Sequence, residues 1–354
     1  MLCPTRLQPE AIGMCEDDSM RTPAQSNADQ DRSGNHPDTS SGPRTAGLLS
    51  TPAATDPGGK VVGLPAGVIA AARLKARLTA VWREIGEAGD PLADPEAVHR
   101  LRVATRRSLA ALTAFAPLLP TGKRQRFGQR LRQIRKAAGE ARDLDVLIDR
   151  LRQQWPATTA ISPASTSAEK LIELLTEHQI GSRGPIRDCQ AELVAWGWPA
   201  RQEQLLKAIA TTGRPRYGRF ARKRLQLVGR KFFTTAGPFR KASQLHQFRI
   251  LGKRLRYSLD LFTDALSPQP RDRCLKRLKQ MQEALGDFTD HAAAADRFTR
   301  LTREPLDAAT LELVDSLRRE EHQLARLARR RFDIWWTNGR RKTLKRLFRR
   351  AVKS

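Results

Sequence analysis

The sequence is poor in the features that build disulfide frameworks, zinc sites and membrane spans. Its four cysteines, Cys3, Cys15, Cys189 and Cys274, form no CxxC pair, so neither a zinc site nor a disulfide scaffold is indicated. No stretch approaches the roughly 18 consecutive apolar residues that a membrane-spanning helix needs, and no basic segment followed by an apolar core marks a secretory leader. We therefore expect a soluble cytoplasmic protein with reduced thiols.

Aromatic residues and negative charge are also scarce. Aromatic residues make up 6% of the chain, with only two tyrosines, which leaves few platforms on which single-stranded bases could stack. Asp and Glu number 37 against 64 Lys and Arg, so the 354 residues have a formal net charge of +27. Such an excess indicates a polyanionic partner, which could be nucleic acid, an acidic membrane surface or inorganic polyphosphate.

Residues 1–64 differ in composition from the rest of the chain. They are rich in Pro, Gly, Ser, Thr and Asp, show no apolar period, and hold eight acidic against five basic residues. This composition predicts a disordered N-terminal arm. The excess of positive charge therefore belongs to residues 65–354.

From about Leu64 onward, apolar residues recur at spacings of three and four, and segments rich in Pro and Gly interrupt the pattern. The pattern predicts an all-α protein. Its predicted domains are a first four-helix bundle at 65–212, a second at 213–336, and a basic helix or tail at 337–354. The predicted helices are 67–88, 95–116, 122–154, 167–210 with interruptions at GSRGP and WGWP, 217–234, 241–264, 270–302 and 305–336.

An internal repeat divides the helical part into two copies. Adding 147 to the residue number carries VHRLRVATRRSLAALTAF (98–115) onto LHQFRILGKRLRYSLDLF (245–262). The same offset, with no gap, carries LRQIRKAAGEARD (131–143) onto LKQMQEALGDFTD (278–290). One constant offset across two separated segments predicts two four-helix bundles related by pseudo-twofold symmetry, each contributing equivalent residues.

A stripe of cations borders the apolar face of the helix that contains 98–115. At about 100° per residue, His99, Arg102 and Arg106 lie roughly a quarter-turn from the apolar side. Their spacing suits successive phosphates of an extended chain, and an arginine can donate two parallel hydrogen bonds to one phosphate. The second copy places His246, Arg249 and Lys253 at the same angles, with Arg256 at the margin, Tyr257 beside it, and Arg107 and Arg254 further around their helices.

The two histidines lie in register within these matched stripes. A lone histidine at such a position is most often a core-edge residue bonded to a carboxylate. The pairing instead favours anion binding, because a histidine beside cations tends to be neutral when the site is empty and takes up a proton once an anion binds.

The next helix of each copy offers a second wall. Asp143 and Asp290 either orient a histidine or arginine of the neighbouring helix or make ordinary surface ion pairs. Gly139 and Gly286 weaken otherwise strong helices, so we predict that they permit close helix packing. The residues that share one face of this helix are Arg132, Lys136, Gly139 and Asp143, matched by Lys279, Glu283, Gly286 and Asp290.

These segments resemble the CHAD family, the conserved histidine α-helical domain, over roughly residues 65–335. The resemblance implies two bundles around a basic cavity that binds inorganic polyphosphate, and some family members associate with polyphosphate granules. Many members are fused to a triphosphate-tunnel hydrolase, whose ExExK signature is missing here, so we expect a free-standing binding module. The matching elements are His99, Arg102, Arg106 and Arg107 for HxxRxxxRR; Gly139, Arg142, Asp143, Asp145 and Val146 for GxxRDxDV; 246–257 for HxxRxxxKRLRY; and LGDFTD at 285–290.

The sequence thus predicts non-catalytic polyphosphate binding with no cofactor or metal and no particular oligomeric state. Catalysis is disfavoured because the stripes face few carboxylates and neither histidine has a recognisable base beside it. The predicted polyphosphate-binding residues are His99, Arg102, Arg106, Arg107, Arg132, His246, Arg249, Lys253, Arg254, Arg256 and Lys279, supported by Asp143, Asp290 and Tyr257.

Nucleic-acid binding by the same basic surface is the alternative. The terminal segment NGRRKTLKRLFRRAVKS (338–354) is a basic amphipathic helix of a kind that binds nucleic acid or acidic membranes. This segment either binds a polyanion itself or docks on the second bundle through Trp335, Trp336, Leu344 and Phe348.

Overall fold

A computed structural model describes residues 61–90, 92–156, 163–212, 215–237, 239 and 241–353. Almost all of the arm predicted at 1–64 lies outside these ranges. Within them, the regular elements are α-helices and short 3₁₀ helices, which confirms the predicted all-α class. No helix of the described part combines the length and apolar character that would let it cross a bilayer.

The helices follow the predicted order with small shifts at their ends. The long fourth element is divided into three helices at GSRGP and WGWP, as predicted, and Gly197 between the second and third of them has a left-handed backbone (φ 71°). The α-helices are α1 Ala66–Ala88, α2 Pro95–Ala114, α3 Thr121–Gln154, α4 Pro163–Gly181, α5 Gly184–Ala195, α6 Trp198–Ala210, α7 Tyr217–Thr235, α8 Ala242–Leu261, α9 Pro268–Leu301, α10 Ala308–Trp335 and α11 Asn338–Val352.

The helix bounds reproduce the constant offset of the sequence repeat. The first and last residues of α2 map onto those of α8 by this offset, and those of α3 map onto those of α9. The 3₁₀ turns Ala116–Leu118 and Thr263–Ala265 that follow α2 and α8 are related in the same way. The copies diverge after α3 and α9, where three helices (α4–α6) stand in the first copy and two (α10 and α11) in the second.

Local capping explains where several helices begin. The Asp94 side chain accepts a hydrogen bond from the Glu96 backbone N–H at the start of α2, where proline occupies the first helical position. Asp307 caps α10 in the same manner through the Thr310 N–H, and Thr337 caps α11 through the Arg340 N–H. These polar residues fix the ends of the helices that position the basic residues.

The two copies share one main apolar core. The largest cluster of buried apolar side chains extends from Ala66 in α1 to Val352 in α11. Phe115 and Phe262, which are equivalent positions in the two copies, meet edge to face with ring centroids 5.5 Å apart. A smaller cluster joins the C-terminal halves of α3 and α9 to α4 and α10. The sequence suggested a core for each bundle, because periodicity shows which face is apolar but not which faces meet.

The C-terminal helix α11 docks on the second copy. The ring of Phe348 lies over Gly229 of α7 so closely that a Cβ at Gly229 would overlap it. Leu344 and Phe348 are buried, and the rings of Trp335 and Trp336 stack with centroids 6.0 Å apart at the α10–α11 junction. Of the two alternatives that the sequence left open for the terminal segment, docking on the second copy is therefore the one that the structure shows.

Candidate functional site

The two basic stripes meet where α2 packs against α8. Lys253 of α8 is half-buried, and the pKa of its ammonium group is lowered to about 8. Burial is the largest cause, the charges of Arg249, Arg106 and Arg102 act in the same direction, and Asp290 acts against them. Arginines of both copies therefore lie near one lysine. We call Arg102, Arg106, Arg249 and Lys253 the central cluster.

Arg102 is held against the backbone of α3. Its Nη1 donates hydrogen bonds to the carbonyl oxygens of Gly139 (2.8 Å) and Ala138 (3.2 Å), and it lies 3.6 Å from Asp143 Oδ1. Its side chain is 22% exposed. Burial lowers the pKa of Arg102, an effect that Asp143 opposes, yet a guanidinium stays protonated at neutral pH. Arg102 is therefore a positioned, permanent cation that still reaches solvent.

Arg249 occupies the equivalent position in the second copy. Its Nη2 lies 3.4 Å from Asp290 Oδ1, and its side chain is also 22% exposed. The Nε of Arg249 is buried and has no hydrogen-bond partner among the described residues. Asp143 and Asp290 thus each pair with the stripe arginine of their own copy, which settles the choice between histidine and arginine left open by the sequence.

Carboxylates border the central cluster more closely than the sequence suggested. Burial raises the pKa of Asp143, and nearby Asp290 and Glu140 raise it further, while Arg102 and Arg297 lower it. Arg297 of α9 reaches across the copies, with its Nη2 3.8 Å from Glu140 Oε1. The sequence predicted Asp143 and Asp290 beside the stripes, and the structure adds Glu140 and Arg297. Each aspartate therefore takes up part of the hydrogen-bonding capacity of its arginine.

Gly139 and Gly286 do not mark a close approach between helices. A Cβ at Gly139 would lie 3.6 Å from Arg102 Nη1, and one at Gly286 would lie 3.8 Å from Asp290 Oδ2, both ordinary contacts. The prediction of close helix packing at these glycines was wrong. What lies over Gly139 is the guanidinium of Arg102, which uses the glycine carbonyl as an acceptor.

The two histidines have different surroundings. His99 is half-buried, and burial lowers its pKa, with Arg142, Arg106 and Arg102 acting in the same direction and Glu96 against it. His99 also lines a groove of about 850 Å³ between α1, α2 and α8 that includes Arg107. His246 is exposed and makes no hydrogen bond or ion pair with other described residues. The lowered pKa of His99 gives it the neutral resting state expected of a histidine beside cations.

Several predicted binding residues lie at the edge of this arrangement. Lys279 makes an exposed ion pair with Glu283 on its own helix (3.6 Å), and the Arg132 side chain lies against Gly128 one turn back along α3. The guanidinium of Arg256 lies over the Tyr257 ring, 5.2 Å from its centroid. None of the described contacts ties Arg132, Lys279 or the half-buried Arg254 to the central cluster.

Asp145, the other acid of the GxxRDxDV element, lies inside the protein. Its Oδ1 accepts a hydrogen bond from Gln179 Nε2 (2.6 Å) and lies 3.7 Å from Arg183 Nη2. The Arg183 side chain is 2% exposed and also donates to the carbonyl of Ala88. Sequence reasoning missed Arg183 because its only signal was the helix break GSRGP. This buried pair joins α3 to the α4–α5 turn and to the end of α1.

A second buried carboxylate links the long helices of the two copies. Glu321 of α10 accepts a hydrogen bond from Arg150 of α3, and its Oε2 lies 2.6 Å from His291 Nδ1 of α9. His291 directly follows Asp290, the ion-pair partner of Arg249. The contacts of Glu321 therefore stabilise the part of α9 that carries Asp290. Arg150 and Arg297 are equivalent positions of the repeat, and this equivalence was the signal that could have drawn attention to both.

Comparisons with known proteins agree with this architecture. A model of the CHAD domain family matches residues 72–299. The crystal structure of the CHAD domain from the plant Ricinus communis superposes with a TM-score of 0.61 at 22% identity, covering 75% of this chain and 88% of that one. PptA from Streptomyces chartreusis superposes with a TM-score of 0.54 at 18% identity, covering 77% and 99%.

These structural likenesses show a shared fold. None of the curated proteins compared with the chain matches it. Helices α10 and α11 lie outside the family match, whereas the whole central cluster lies inside it. Because the match extends over more than half of the chain, the protein belongs to the CHAD domain family.

Proposed function

We propose that the protein binds inorganic polyphosphate at the central cluster without catalysing its cleavage. The observation behind the proposal is the convergence of four cations from two copies at one half-buried place. Like charges repel more strongly where the local dielectric is low, so an anionic chain that neutralises them would be held firmly. One polymer lying along the α2–α8 contact would touch equivalent residues of both copies.

Membership of the CHAD family supports the same choice of ligand, because the resemblance already implied polyphosphate. The geometry also favours a thin, flexible chain over duplex nucleic acid. The cluster arginines are only 22% exposed. A duplex with a persistence length of about 50 nm cannot fold around such recessed side chains.

Binding without chemistry is the function that the side chains support best. Asp143 and Asp290 both lie within ion-pair distance of arginines, so neither is free to act as a general base. The arginines themselves stay protonated and can only donate hydrogen bonds. Every group of the cluster is therefore suited to holding phosphates.

The test is a titration with long-chain polyphosphate across a salt series. We expect Arg102→Glu with Arg249→Glu to weaken binding by about 100-fold or more, since each charged hydrogen-bonding partner contributes about 1.5–3 kcal/mol. Arg326→Glu with Arg330→Glu, two exposed arginines of α10, makes the same charge change elsewhere and should cost less than about threefold. Unchanged binding in the first variant, or equal losses in both, would refute the proposal.

We further propose that the protein associates with polyphosphate granules in the cytoplasm. A fluorescent fusion should coincide with polyphosphate-stained granules in cells. The double variant of the central cluster should be diffuse, whereas the α10 control variant should stay on the granules. A double variant that still marks the granules would show that recruitment does not use the central cluster.

A further inference from the structure

A second basic surface lies between α7 and α11. Its α11 side lies outside residues 72–299, which the family model matches. An open groove of about 1150 Å³ runs along the two helices, and we call it the tail groove. Arg222 and Arg230 of α7 line one side. No aspartate or glutamate is among the described residues that line it. The cations on the α11 side, all of them exposed, are Lys342, Lys345, Arg346, Arg349, Arg350 and Lys353.

The cations on the α11 side of the tail groove lack the carboxylate partners that some arginines of α10 have. On the neighbouring α10, Arg318 lies 2.7 Å from Asp315, and Arg329 lies 3.3 Å from Asp333. The six α11 cations make no ion pair with any residue that the structure describes, although they occupy only about 16 Å of helix. Like charges at such spacings destabilise a helix, and an anionic partner would relieve this repulsion.

The apolar side of α11 is already occupied. Leu344, Phe348, Ala351 and Val352 are buried against the second copy, with Phe348 fitted over Gly229. A helix used in this way has no apolar face left to insert into a bilayer. The two phenylalanines that line the groove are also engaged: Phe348 is buried, and half-buried Phe233 packs against it with ring centroids 5.6 Å apart, so neither offers an open platform for unstacked bases. Neither a membrane-inserting helix nor single-strand stacking suits the groove.

Access also separates the tail groove from the central cluster. The cluster arginines are recessed, whereas the α11 cations stand on an open surface that a broad, stiff polyanion can reach. Axes of packed helices lie about 8–10 Å apart. Cations on both α7 and α11 can therefore border one nucleic-acid backbone that lies along the groove.

We propose that the tail groove binds the phosphate backbone of double-stranded nucleic acid without sequence preference. Lys and Arg contacts to phosphates position a duplex but do not read its bases. Neutralising phosphates releases condensed counterions, so affinity should fall steeply with salt. The inference does not depend on polyphosphate binding, because it uses different residues on a different pair of helices.

The experiment measures fluorescence anisotropy of two short duplexes of unrelated sequence at several salt concentrations. We expect Lys345→Glu with Arg349→Glu to weaken duplex binding at least 30-fold and to reduce the slope of log K against log salt by about 2, roughly 0.9 for each lost phosphate contact. The neutral variant Lys345→Gln with Arg349→Gln should lose about 5-fold or more. Both sites are exposed, so both variants should fold, and circular dichroism verifies this.

Two control variants locate the effect. Arg326→Glu with Arg330→Glu should change duplex affinity less than about threefold, and so should Arg102→Glu with Arg249→Glu. Polyphosphate affinity should be retained by the α11 variants and lost by the central variant. A failure of polyphosphate binding with duplex binding intact would thus count against the first proposal only.

Four results would overturn the inference. Duplex binding could be unchanged in the α11 variants, or it could fall equally in the α10 control, which would indicate net charge alone. The α11 variants could lose polyphosphate but not duplex, which would make the groove a second polyphosphate surface. They could instead lose binding to vesicles of mixed phosphatidylcholine and phosphatidylserine but not to duplex, which would assign the groove to a membrane surface.

Discussion

The central cluster and the tail groove are both rich in Arg and Lys, yet they are built differently. The cluster recesses four cations between two helices and places Asp143 and Asp290 beside the arginines. The tail groove exposes five cations of α11 and Lys353 directly after it, and it has no carboxylate among its described lining residues. Recessed, partly paired cations favour thin ligands that can enter and displace the aspartates, whereas exposed cations suit a broad, stiff polyanion that cannot enter.

The largest expected effect comes from combining the variants of the two regions in one chain, which tests whether the regions bind independently. A chain with Arg102→Glu, Arg249→Glu, Lys345→Glu and Arg349→Glu should lose polyphosphate affinity about 100-fold and duplex affinity about 30-fold. Distant, independent sites have additive effects, so each loss should equal that of the matching double variant. Calorimetric titrations of all three variants measure this, and a loss far from the additive value would show that the regions form one site.

The next effect comes from a steric change that disturbs the packing of α11 at the tail groove. Gly229→Ala places a methyl group against the Phe348 ring, so we expect the free energy of unfolding to fall by about 1–3 kcal/mol and duplex binding to weaken. Gly139→Ala adds the same methyl where the nearest group is 3.6 Å away, so stability should stay level or rise by up to about 1 kcal/mol. Urea denaturation compares the two, and similar destabilisation by both would contradict the geometry.

The lowered pKa of Lys253 should make binding at the central cluster depend on pH, unlike binding at the tail groove. Because this pKa is lowered to about 8, Lys253 loses its charge as pH rises through 8, and polyphosphate affinity should fall about tenfold between pH 7.5 and 9.5. Duplex binding at the exposed groove should change little over this range. Lys253→Arg keeps a permanent charge and should remove most of the decline. A decline that persists in Lys253→Arg would show that another group titrates.

The same pKa predicts how the unliganded protein responds to pH. The folded state holds Lys253 with a lowered pKa, so between pH 8 and about 10.5 the unfolded chain binds more protons. The contribution of Lys253 to stability should therefore rise with pH across this window, opposite to its effect on binding. Urea midpoints of the wild type and Lys253→Met at pH 7.5 and 9.5 measure the contribution. Equal shifts in both proteins would assign it elsewhere.

The smallest expected effect is on the pH dependence of polyphosphate affinity, and it distinguishes His99 from His246. His99 has a lowered pKa, so it starts neutral and gains a proton when an anion binds; affinity should rise as pH falls from 8 to 6. His99→Gln should reduce this rise about threefold, whereas His246→Gln should matter less because His246 is exposed. Titrations at pH 6, 7 and 8 decide this, and a larger effect of His246→Gln would reverse the assignment.

Much of the fold was predictable because the apolar period and the turn residues are local signals. The constant offset of the repeat survives unchanged in the bounds of α2, α3, α8 and α9. The shared core was not predictable, since a helical period identifies an apolar face but not the helix that covers it. Likewise, the docking of α11 depends on the fit of Phe348 over Gly229, which no spacing reveals.

The sequence predicted the site residues that occupy equivalent positions in the two copies. It did not predict contacts between helices that are far apart in the sequence. Arg102 and Arg249 were found through the matched stripes, and Asp143 and Asp290 through their common position. Arg297 shares a repeat position with Arg150, but only the tertiary structure shows that it approaches Glu140 of the other copy. Lys279 was predicted to bind, but Glu283 lies one turn away and forms an ion pair with it.

The contact between Phe115 and Phe262 has a consequence for how such a chain is put together. Each phenylalanine packs against its own counterpart in the other copy. A residue that contacts its own equivalent is the defining property of an isologous interface, the kind found in symmetric dimers. At this one contact, the single polypeptide places two equivalent residues against each other in the way that a symmetric dimer does at its axis.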